Sequence, residues 1–222
     1  LVGSEMCIRD RQNLIYPCFC SRAELHAASA PHTSDGQFIY PGTCRNLTVD
    51  ERHSKMQSHK HSWRIKVPDE TIIFNDRHYG RQSLNLAREW GDFIVRRSDG
   101  IYAYQLAVVI DDALMGVTEV IRGRDLLSSS APQLYLYRLL GFKPPQFGHL
   151  PLLTAPDGRR LAKRDMDLDM GALRSRYTPE EVIGRLAFLA GLIDKEEPAK
   201  ASELLPLFDW QKIPKENITV TN

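Results

Sequence analysis

The stretch YAYQLAVVIDDALMGVTEVIRGRDL, residues 102–126, decides the fold class of this chain. Residues 102–110 are almost wholly apolar and rich in β-branched and aromatic side chains, which predicts a strand buried on both faces. The segment VTEVIRG, residues 117–123, predicts a second, shorter strand. Because buried strands of this kind are covered by helices in parallel sheets, we expect an α/β protein.

Further strands and helices are predicted on both sides of this stretch. They are the strands WRIKVP (63–68) and FIVRR (93–97) and the helices SSSAPQLYLYRLLGF (128–142) and TPEEVIGRLAFLAGL (178–192). The first helix is expected to begin near Ser130 and to end at Gly141. In the second, Thr178 and Glu181 have the spacing of a capping box.

In α/β proteins with parallel sheets, ligands bind beyond the carboxyl ends of the strands, so the end of the predicted strand VIRG is a candidate site position.

The composition limits the classes of protein to which the chain can belong. Its 222 residues, 42% of them hydrophobic, suffice for one full-sized domain or one domain with an appendage. The formal net charge of +1 does not indicate a nucleic-acid partner, so any such surface must be local. No apolar run approaches the roughly 18 residues of a membrane helix, and four cysteines are too few for a disulfide scaffold. We expect a cytoplasmic protein without a membrane partner.

Three cysteines lie close together in PCFCSRAELHAASAPHTSDGQFIYPGTCR, residues 17–45. A disulfide within C-x-C is strained, whereas Cys18, Cys20 and Cys44 can supply three of the four ligands that zinc requires. The fourth could come from Tyr40, His26, His32 or His53. Composition favours a histidine, because phenolate is a rare zinc ligand. The alternatives are three free thiols in a loop and a redox pair.

Two basic clusters are candidates for binding phosphate groups. One extends over residues 45–66. The other follows the turn Asp157-Gly158 and comprises Arg159, Arg160, Lys163 and Arg164. A loop with clustered cations suits a triphosphate, because a lysine ammonium can follow charge onto leaving phosphate oxygens. The alternative for each cluster is an ordinary solvated surface.

Together these features resemble the glutamyl-tRNA synthetase family of class I aminoacyl-tRNA synthetases, from about Tyr16 to beyond Leu189. The most specific match is the stretch 102–126, and DGRRLAKRD (157–165) looks like the family's KMSKS loop. The resemblance implies a ligase with a partial Rossmann-like catalytic domain, a small zinc-binding insertion and a short helical C-terminal segment. The implied substrates are L-glutamate, ATP with Mg²⁺, and tRNA.

The resemblance also implies roles for individual residues. Tyr104 and Arg122 match residues that line the glutamate pocket, and an arginine fork with a phenol suits an anionic amino acid. Lys163 matches the catalytic lysine that holds the ATP phosphates, with Arg160 as a second ATP-binding cation. Ala162 stands where the family's loop has a serine, so we expect weakened ATP handling.

One branch of the family, the glutamyl-queuosine tRNA(Asp) synthetases, carries C-x-C…Y-x3-C as a zinc site. The resemblance to this branch makes Cys18, Cys20, Tyr40 and Cys44 the implied zinc ligands, in place of the histidine favoured by composition. It also implies that glutamate is transferred to the queuosine base of tRNA(Asp). The branch lacks anticodon-binding domains, and 59 residues (222 − 163) follow Lys163 in this chain.

The predicted organisation has four parts. They are an unstructured or non-native leader (1–13), the zinc-binding insertion (14–62), the remainder of the catalytic domain (63–177) and a helical C-terminal segment (178–222). No HIGH-type motif precedes the insertion, so this polypeptide alone is expected not to activate glutamate. A monomer is expected.

Two other functions fit parts of the sequence. The first is a truncated glutamyl-tRNA synthetase that charges tRNA(Glu). The second, from another class, is a non-catalytic zinc-dependent RNA-binding module that uses the basic cluster at 45–66.

Overall fold

The computed structural model describes residues 14–27, 39–159, 161 and 170–220 of the chain. Its strands are β1 (Ile15–Cys18), β2 (Ser62–Ile65), β3 (Thr71–Asp76), β4 (Gly80–Asn85), β5 (Phe93–Arg96), β6 (Glu119–Gly123), β7 (Gln146–Leu150), β8 (Leu153–Thr154) and β9 (Ile218–Thr219). Its α-helices are α1 (Arg22–Ala27), α2 (Val49–Ser58), α3 (Tyr104–Leu114), α4 (Ser130–Leu140), α5 (Met170–Arg176), α6 (Pro179–Leu189) and α7 (Ala201–Leu204). Shorter helical turns occupy Leu86–Trp90, Arg124–Leu126 and Leu205–Leu207.

The strands form three sheets, and the expected α/β class is confirmed. One sheet has the order β1-β2-β5 with antiparallel pairs, and Cys18 lies opposite Ser62. A second has the order β4-β3-β7-β6, in which β3 and β7 are parallel and Asp76 pairs with Phe147. The third is the parallel pair β8-β9. The predicted strands in 63–68, 93–97 and 117–123 are present as β2, β5 and β6.

The prediction that residues 102–110 form a strand was wrong, because most of this stretch lies in helix α3. The buried side chains of α3 are Leu106, Val109 and Ile110, at the i, i+3 and i+4 spacing of one helix face. Tyr104, Ala107 and Val108 are also apolar but only partly buried or exposed, which hid the helical period. Asp111 and Asp112, which follow this stretch, also lie inside the helix.

The two predicted helices are confirmed, but the serine cap predicted for the first is absent, because Ser129 makes no side-chain capping hydrogen bond. Helix α4 begins at Ser130 and ends before Gly141, whose φ of 73° closes the helix in the left-handed conformation. Helix α6 begins after Thr178, and Thr178 and Glu181 form the predicted reciprocal capping box. Both helices carry local signals that do not depend on the rest of the fold.

The described residues fall into two compact units. Unit 1 comprises residues up to Asn75 together with Arg81–Val120 and Ser128–Gln146. Its hydrophobic core joins the β1-β2-β5 sheet to α3 and α4, with Ile65, Val95, Val109 and Leu136 nearly inaccessible to solvent. Tyr135 anchors α4 to this core by donating a hydrogen bond to the carbonyl of Lys66 at 3.0 Å.

Unit 2 comprises residues Asp76–Gly80, Ile121–Leu127 and the described residues from Phe147 onward. A methyl group on Gly148 would lie 2.8 Å from Ile121 and 2.9 Å from Trp210. Glycine at this position therefore allows both side chains to pack against β7. The carbonyl of Pro214 contacts the His78 ring at 3.0 Å. Within the described part of the chain, the helices lack the combined length and hydropathy needed to cross a membrane.

Candidate functional site

Three cysteines and one tyrosine of unit 1 meet beside the end of β1. The sulfur atoms of Cys18, Cys20 and Cys44 all lie within 4.8 Å of one another, and Cys20 and Cys44 are 3.6 Å apart. The Tyr40 hydroxyl lies 3.5 Å from the Cys18 sulfur and 3.8 Å from the Cys20 sulfur. We call these four residues the cysteine–tyrosine cluster. Cys18 ends β1 and Cys20 follows it, Tyr40 forms an isolated bridge with Gly91, and Cys44 lies in a turn.

The spacing of these atoms suits a tetrahedral metal ion. With Zn–S bonds of about 2.3 Å, a tetrahedral zinc site holds its sulfur ligands roughly 3.8 Å apart. Three of the distances between donor atoms of the cluster, 3.5, 3.8 and 3.6 Å, are close to this value. The three cysteines are free thiols, so they are available as ligands. This part of the chain can therefore hold a metal ion.

The ionisation of the thiols also fits a metal site. Burial alone would raise the pKa of Cys18, but the hydrogen bond with Tyr40 and the charge of Arg64 lower it. Burial and the neighbouring Cys18 raise the pKa of Cys20 to about 12. Without a cation, Cys18 and Cys20 therefore resist ionising together. A divalent metal reverses this balance, because it stabilises several thiolates at one point.

Tyr40 is held in the cluster by its backbone and by its ring. A side chain on Gly91, whose φ is 76°, would lie 3.0 Å from Ile39 and 3.2 Å from the Tyr40 backbone, so the close approach requires glycine. The phenol oxygen accepts a hydrogen bond from the Cys44 amide at 2.8 Å. The guanidinium of Arg64 lies 3.8 Å from the centre of the Tyr40 ring.

Sequence reasoning missed the role of Arg64, which it grouped with an exposed basic cluster. Arg64 is buried, and its guanidinium donates a hydrogen bond to the Asp92 carbonyl at 2.7 Å. The alternation of WRIKVP could not have predicted this burial, because it places Arg64 on the face of β2 opposite Trp63 and Ile65, where a charged side chain is expected to be exposed. Helix α2 has no buried residues, and its two acidic and two basic side chains balance one another, so it is not a basic element.

Of the three histidines considered as alternative fourth ligands, the structure describes the side chain of His53 alone. His53 is exposed on α2 and does not join the group of thiols. The side chain of His26 and the whole of His32 lie outside the described residues. Among the described residues, Tyr40 is thus the proposed fourth ligand whose oxygen lies with the thiols.

Arg122 lies on β6 and is held from several sides within unit 2. Its Nε donates a hydrogen bond to Nε2 of His149 at 2.9 Å, and a terminal nitrogen donates to the Leu126 carbonyl at 3.2 Å. Its guanidinium also lies 5.1 Å from the centre of the Phe147 ring. These contacts restrict the orientation of the fork.

His149 is in turn held by a buried carboxylate. Its Nδ1 lies 2.6 Å from Oδ2 of Asp76, and both side chains are inaccessible to solvent. Burial alone would raise the pKa of Asp76, but hydrogen bonds from His149 and from the amides of Tyr79 and His78 lower it. We call Asp76, His149 and Arg122 the arginine site. Sequence reasoning identified Arg122 alone.

Tyr104 is the first residue of helix α3 in unit 1, and its side chain is 53% exposed. Its position at the start of a helix leaves the phenol accessible to a ligand. Tyr104 and Arg122 belong to different units, each of which is described separately.

The predicted ATP loop is described only at its base. The amide of Ala155 donates to the Arg159 carbonyl, and that of Leu161 donates to the Leu153 carbonyl, at 2.8 and 3.2 Å. Arg159 forms an ion pair with Asp157, so this cation is already partnered. Arg160 and Lys163, the residues predicted to hold ATP, lie outside the described residues.

Comparison with known families gives a match over most of the chain. Residues 11–219 match the family model described as tRNA synthetases class I (E and Q), catalytic domain. Among solved structures, a glutamate tRNA ligase from Elizabethkingia meningosepticum in complex with its amino acid is similar, with a TM-score of 0.72 and 28% identity. The alignment covers 99% of this chain and 51% of that protein. A glutamate-tRNA synthetase from Elizabethkingia anophelis gives a TM-score of 0.73 at 27% identity, covering 99% and 52%.

Several curated relatives are named glutamyl-Q tRNA(Asp) synthetase. The one from Symbiobacterium thermophilum is 52% identical, covering 93% of this chain and 65% of the relative. That from Nitratidesulfovibrio vulgaris is 45% identical, covering 90% and 63%. One from Neisseria meningitidis serogroup C is 40% identical, covering 99% and 72%. The chain thus spans a little under two thirds of the length of the first two relatives and about half of the two solved structures.

Proposed function

The chain belongs to the catalytic-domain family of the class I tRNA synthetases (E and Q), and on this premise we propose that its protein glutamylates the queuosine base of tRNA(Asp). The observation that carries the proposal is the high identity, over nearly the whole chain, to relatives named glutamyl-Q tRNA(Asp) synthetase. The substrates are L-glutamate, ATP with Mg²⁺, and tRNA(Asp).

The proposed reaction has two steps. A carboxylate oxygen of glutamate attacks the α-phosphorus of ATP, and the bond to pyrophosphate breaks, which gives glutamyl-adenylate. A hydroxyl of queuosine then attacks the glutamyl carbonyl, loses its proton and displaces AMP. Both steps concentrate negative charge around phosphorus or the carbonyl oxygen. The protein therefore acts mainly by positioning the reactants and by stabilising this charge.

In this proposal Tyr104 and Arg122 bind glutamate. A guanidinium fork pairs with a carboxylate through two parallel hydrogen bonds, and a phenol adds a third, neutral hydrogen-bonding group. The contacts that restrict the Arg122 guanidinium support this role, because a fixed fork loses less entropy on binding. The exposed side chain of Tyr104 is accessible for the same purpose.

Lys163 and Arg160 bind the phosphates of ATP in this proposal. Both belong to the predicted ATP loop, whose described base is closed by the hydrogen bond from the Leu161 amide to the Leu153 carbonyl. Because Arg159 is paired with Asp157, we assign Arg160 and Lys163 to the triphosphate instead. Lys163 is the catalytic lysine, which compensates the charge that moves onto the leaving pyrophosphate.

We assign zinc to the cysteine–tyrosine cluster. Three thiolates and one oxygen in a closed tetrahedral set are typical of a structural zinc site. The ion would hold together the insertion at residues 14–62, which has few buried apolar side chains of its own. The domain boundaries follow this assignment: a leader at 1–13, the insertion at 14–62, the remaining catalytic domain at 63–177 and the C-terminal segment at 178–222. We further propose a cytoplasmic monomer.

A transfer assay with the full-length protein tests the proposal. Radiolabelled glutamate is expected to be incorporated into tRNA(Asp) that carries queuosine and not into tRNA(Asp) that lacks it. Lys163→Ala is expected to abolish incorporation. Equal incorporation into both forms of tRNA(Asp) would contradict queuosine as the acceptor.

The second candidate function is the charging of tRNA(Glu), favoured by the similarity to two solved glutamate-tRNA synthetases. Their identity to this chain, 28% and 27%, is well below that of the glutamyl-Q relatives, which is why we rank it second. In the same assay, incorporation into tRNA(Glu) in place of tRNA(Asp) would establish this alternative.

A further inference from the structure

Asp76, His149 and Arg122 lie on three neighbouring strands, and the order of the strands explains why they meet. His149 is on β7, which lies between β3 and β6 in the sheet. Asp76 ends β3 on one side of His149, and Arg122 lies on β6 on the other side. The result is a continuous chain of hydrogen bonds from a buried carboxylate, through a buried imidazole, to the guanidinium.

The donors and acceptors of this chain fix the tautomer of His149. An arginine nitrogen can only donate, so Nε2 of His149 must accept from Arg122 and carries no proton. The proton of the neutral ring is then on Nδ1, which donates to Oδ2 of Asp76 at 2.6 Å. Asp76 thus determines which nitrogen of His149 faces Arg122 as an acceptor.

Asp76 is itself held in one orientation. Its Oδ1 accepts hydrogen bonds from the amides of His78 and Tyr79 at 3.0 and 2.9 Å, and the His149 amide lies 3.4 Å away. This leaves Oδ2 as the atom that faces the imidazole. The carboxylate therefore cannot rotate without losing hydrogen bonds to the backbone.

We propose that Asp76 and His149 are positioning residues, which hold the Arg122 guanidinium in the orientation that receives the glutamate carboxylate. The inference rests on the proposed function, in which Arg122 binds glutamate. Asp76 sets the tautomer of His149, and His149 fixes the Nε side of the fork. The Leu126 carbonyl and the Phe147 ring complete the support of the guanidinium. Neither Asp76 nor His149 needs to touch the substrate.

Asp76→Asn in the full-length protein tests the tautomer directly. The asparagine oxygen can keep the hydrogen bonds from the His78 and Tyr79 amides, which directs the NH₂ group toward Nδ1 of His149. Nδ1 must then accept, the ring proton moves to Nε2, and Nε2 no longer accepts from Arg122. Nitrogen-15 NMR of histidine-labelled protein is expected to report proton transfer from Nδ1 to Nε2.

The kinetic effect is expected on glutamate alone. In glutamate-dependent ATP–pyrophosphate exchange, the KM for glutamate should rise roughly tenfold in Asp76→Asn, the size expected from losing one hydrogen bond to a charged group. The KM for ATP should stay unchanged. A role limited to stability would lower the melting temperature without separating the two KM values.

A matched pair at His149 gives a second test that does not depend on how Asp76→Asn folds. His149→Gln places an amide oxygen near the Nε2 position and keeps an acceptor for Arg122. His149→Asn places its amide near the Nδ1 position, so it keeps the contact with Asp76 and loses that acceptor. The KM for glutamate should be roughly tenfold higher in His149→Asn than in His149→Gln.

The outcomes separate this inference from the proposed function. An active wild-type protein whose glutamate KM is unchanged in Asp76→Asn and equal in the two His149 variants would overturn the positioning role. A wild-type His149 with its proton on Nε2 would also overturn it. A wild-type protein without any glutamate-dependent exchange would instead overturn the proposed function, and with it the glutamate role of Arg122.

Discussion

The cysteine–tyrosine cluster and the arginine site are both assembled from distant parts of the chain, but they differ in how visible they are in the sequence. In the cluster, residues 22 and 24 positions apart come into contact. Cysteine is rare in this chain, and thiols at C-x-C spacing have few structural uses other than binding metal. The residue types and their spacing are therefore enough to predict a metal site at the cluster.

In the arginine site, Asp76 and His149 are 73 positions apart and have no distinctive spacing. Aspartate and histidine are common, and each has many ordinary roles at a surface. Their role becomes apparent only from their burial, because a fully buried carboxylate and a fully buried imidazole must find hydrogen-bond partners, here each other. A metal site built from thiols can therefore be predicted from composition and spacing. A network of positioning residues can be recognised only when the order of the strands is known.

The largest expected effect breaks the cluster. Cys44→Ser should lose the bound zinc and lower the melting temperature by about 10 °C or more, because structural zinc contributes roughly 10–16 kcal/mol in small zinc domains. Metal content after dialysis and thermal denaturation provide the measurements. His53→Ala is the control, since this exposed side chain lies away from the thiols. Full zinc retention by Cys44→Ser would refute the metal assignment.

The next effect concerns the arginine site. Arg122→Lys keeps the charge but loses the planar fork and the Nε hydrogen bond to His149, so kcat/KM for glutamate should fall roughly a hundredfold. Steady-state kinetics with the full-length protein measures this loss. Arg138→Lys serves as a control, because Arg138 pairs with Glu70 on the surface of unit 1. Similar kinetics in Arg122→Lys and wild type would contradict a glutamate-binding role.

A smaller effect is expected for Tyr40, the proposed fourth ligand of the cluster. Tyr40→Phe removes the hydroxyl but keeps the ring on which Arg64 lies, so the packing is preserved. The affinity for zinc should fall about tenfold, the lower end of losses on removing groups around a metal. Competition with a chelator measures the affinity, again with His53→Ala as the control. If the hydroxyl is not a ligand, both variants will release zinc at the same chelator concentration.

The smallest effect lies in the predicted ATP loop. Ala162→Ser should increase adenylate formation by up to about tenfold, because it restores one hydroxyl that can hydrogen-bond to a charged group. Pyrophosphate exchange at limiting ATP is the measurement, with Arg159→Lys as a control outside the substituted position. Equal rates for Ala162 and Ala162→Ser would show that the alanine does not weaken ATP handling.

The errors and successes of the sequence predictions have physical causes. The helices α4 and α6 were predictable because caps and stops act locally, as in the Thr178–Glu181 box and at Gly141. Helix α3 was mistaken for a strand because Val108, Val109 and Ile110 are β-branched and apolar. Its helical spacing became visible only when burial separated Leu106, Val109 and Ile110 from their partly exposed neighbours.

The α/β class, the capped helices and the family resemblance were all predictable from the sequence, which also placed Arg122, Tyr40 and the three cysteines among the candidates. These features depend on residue type and on short spacings, which survive without knowledge of the fold. Tertiary structure was needed to bring the Tyr40 hydroxyl beside the thiols, as the resemblance implied, and to show that Arg64 is buried. It also decided that Asp76 and His149 support Arg122, because strand order and burial determine which distant polar groups must satisfy one another.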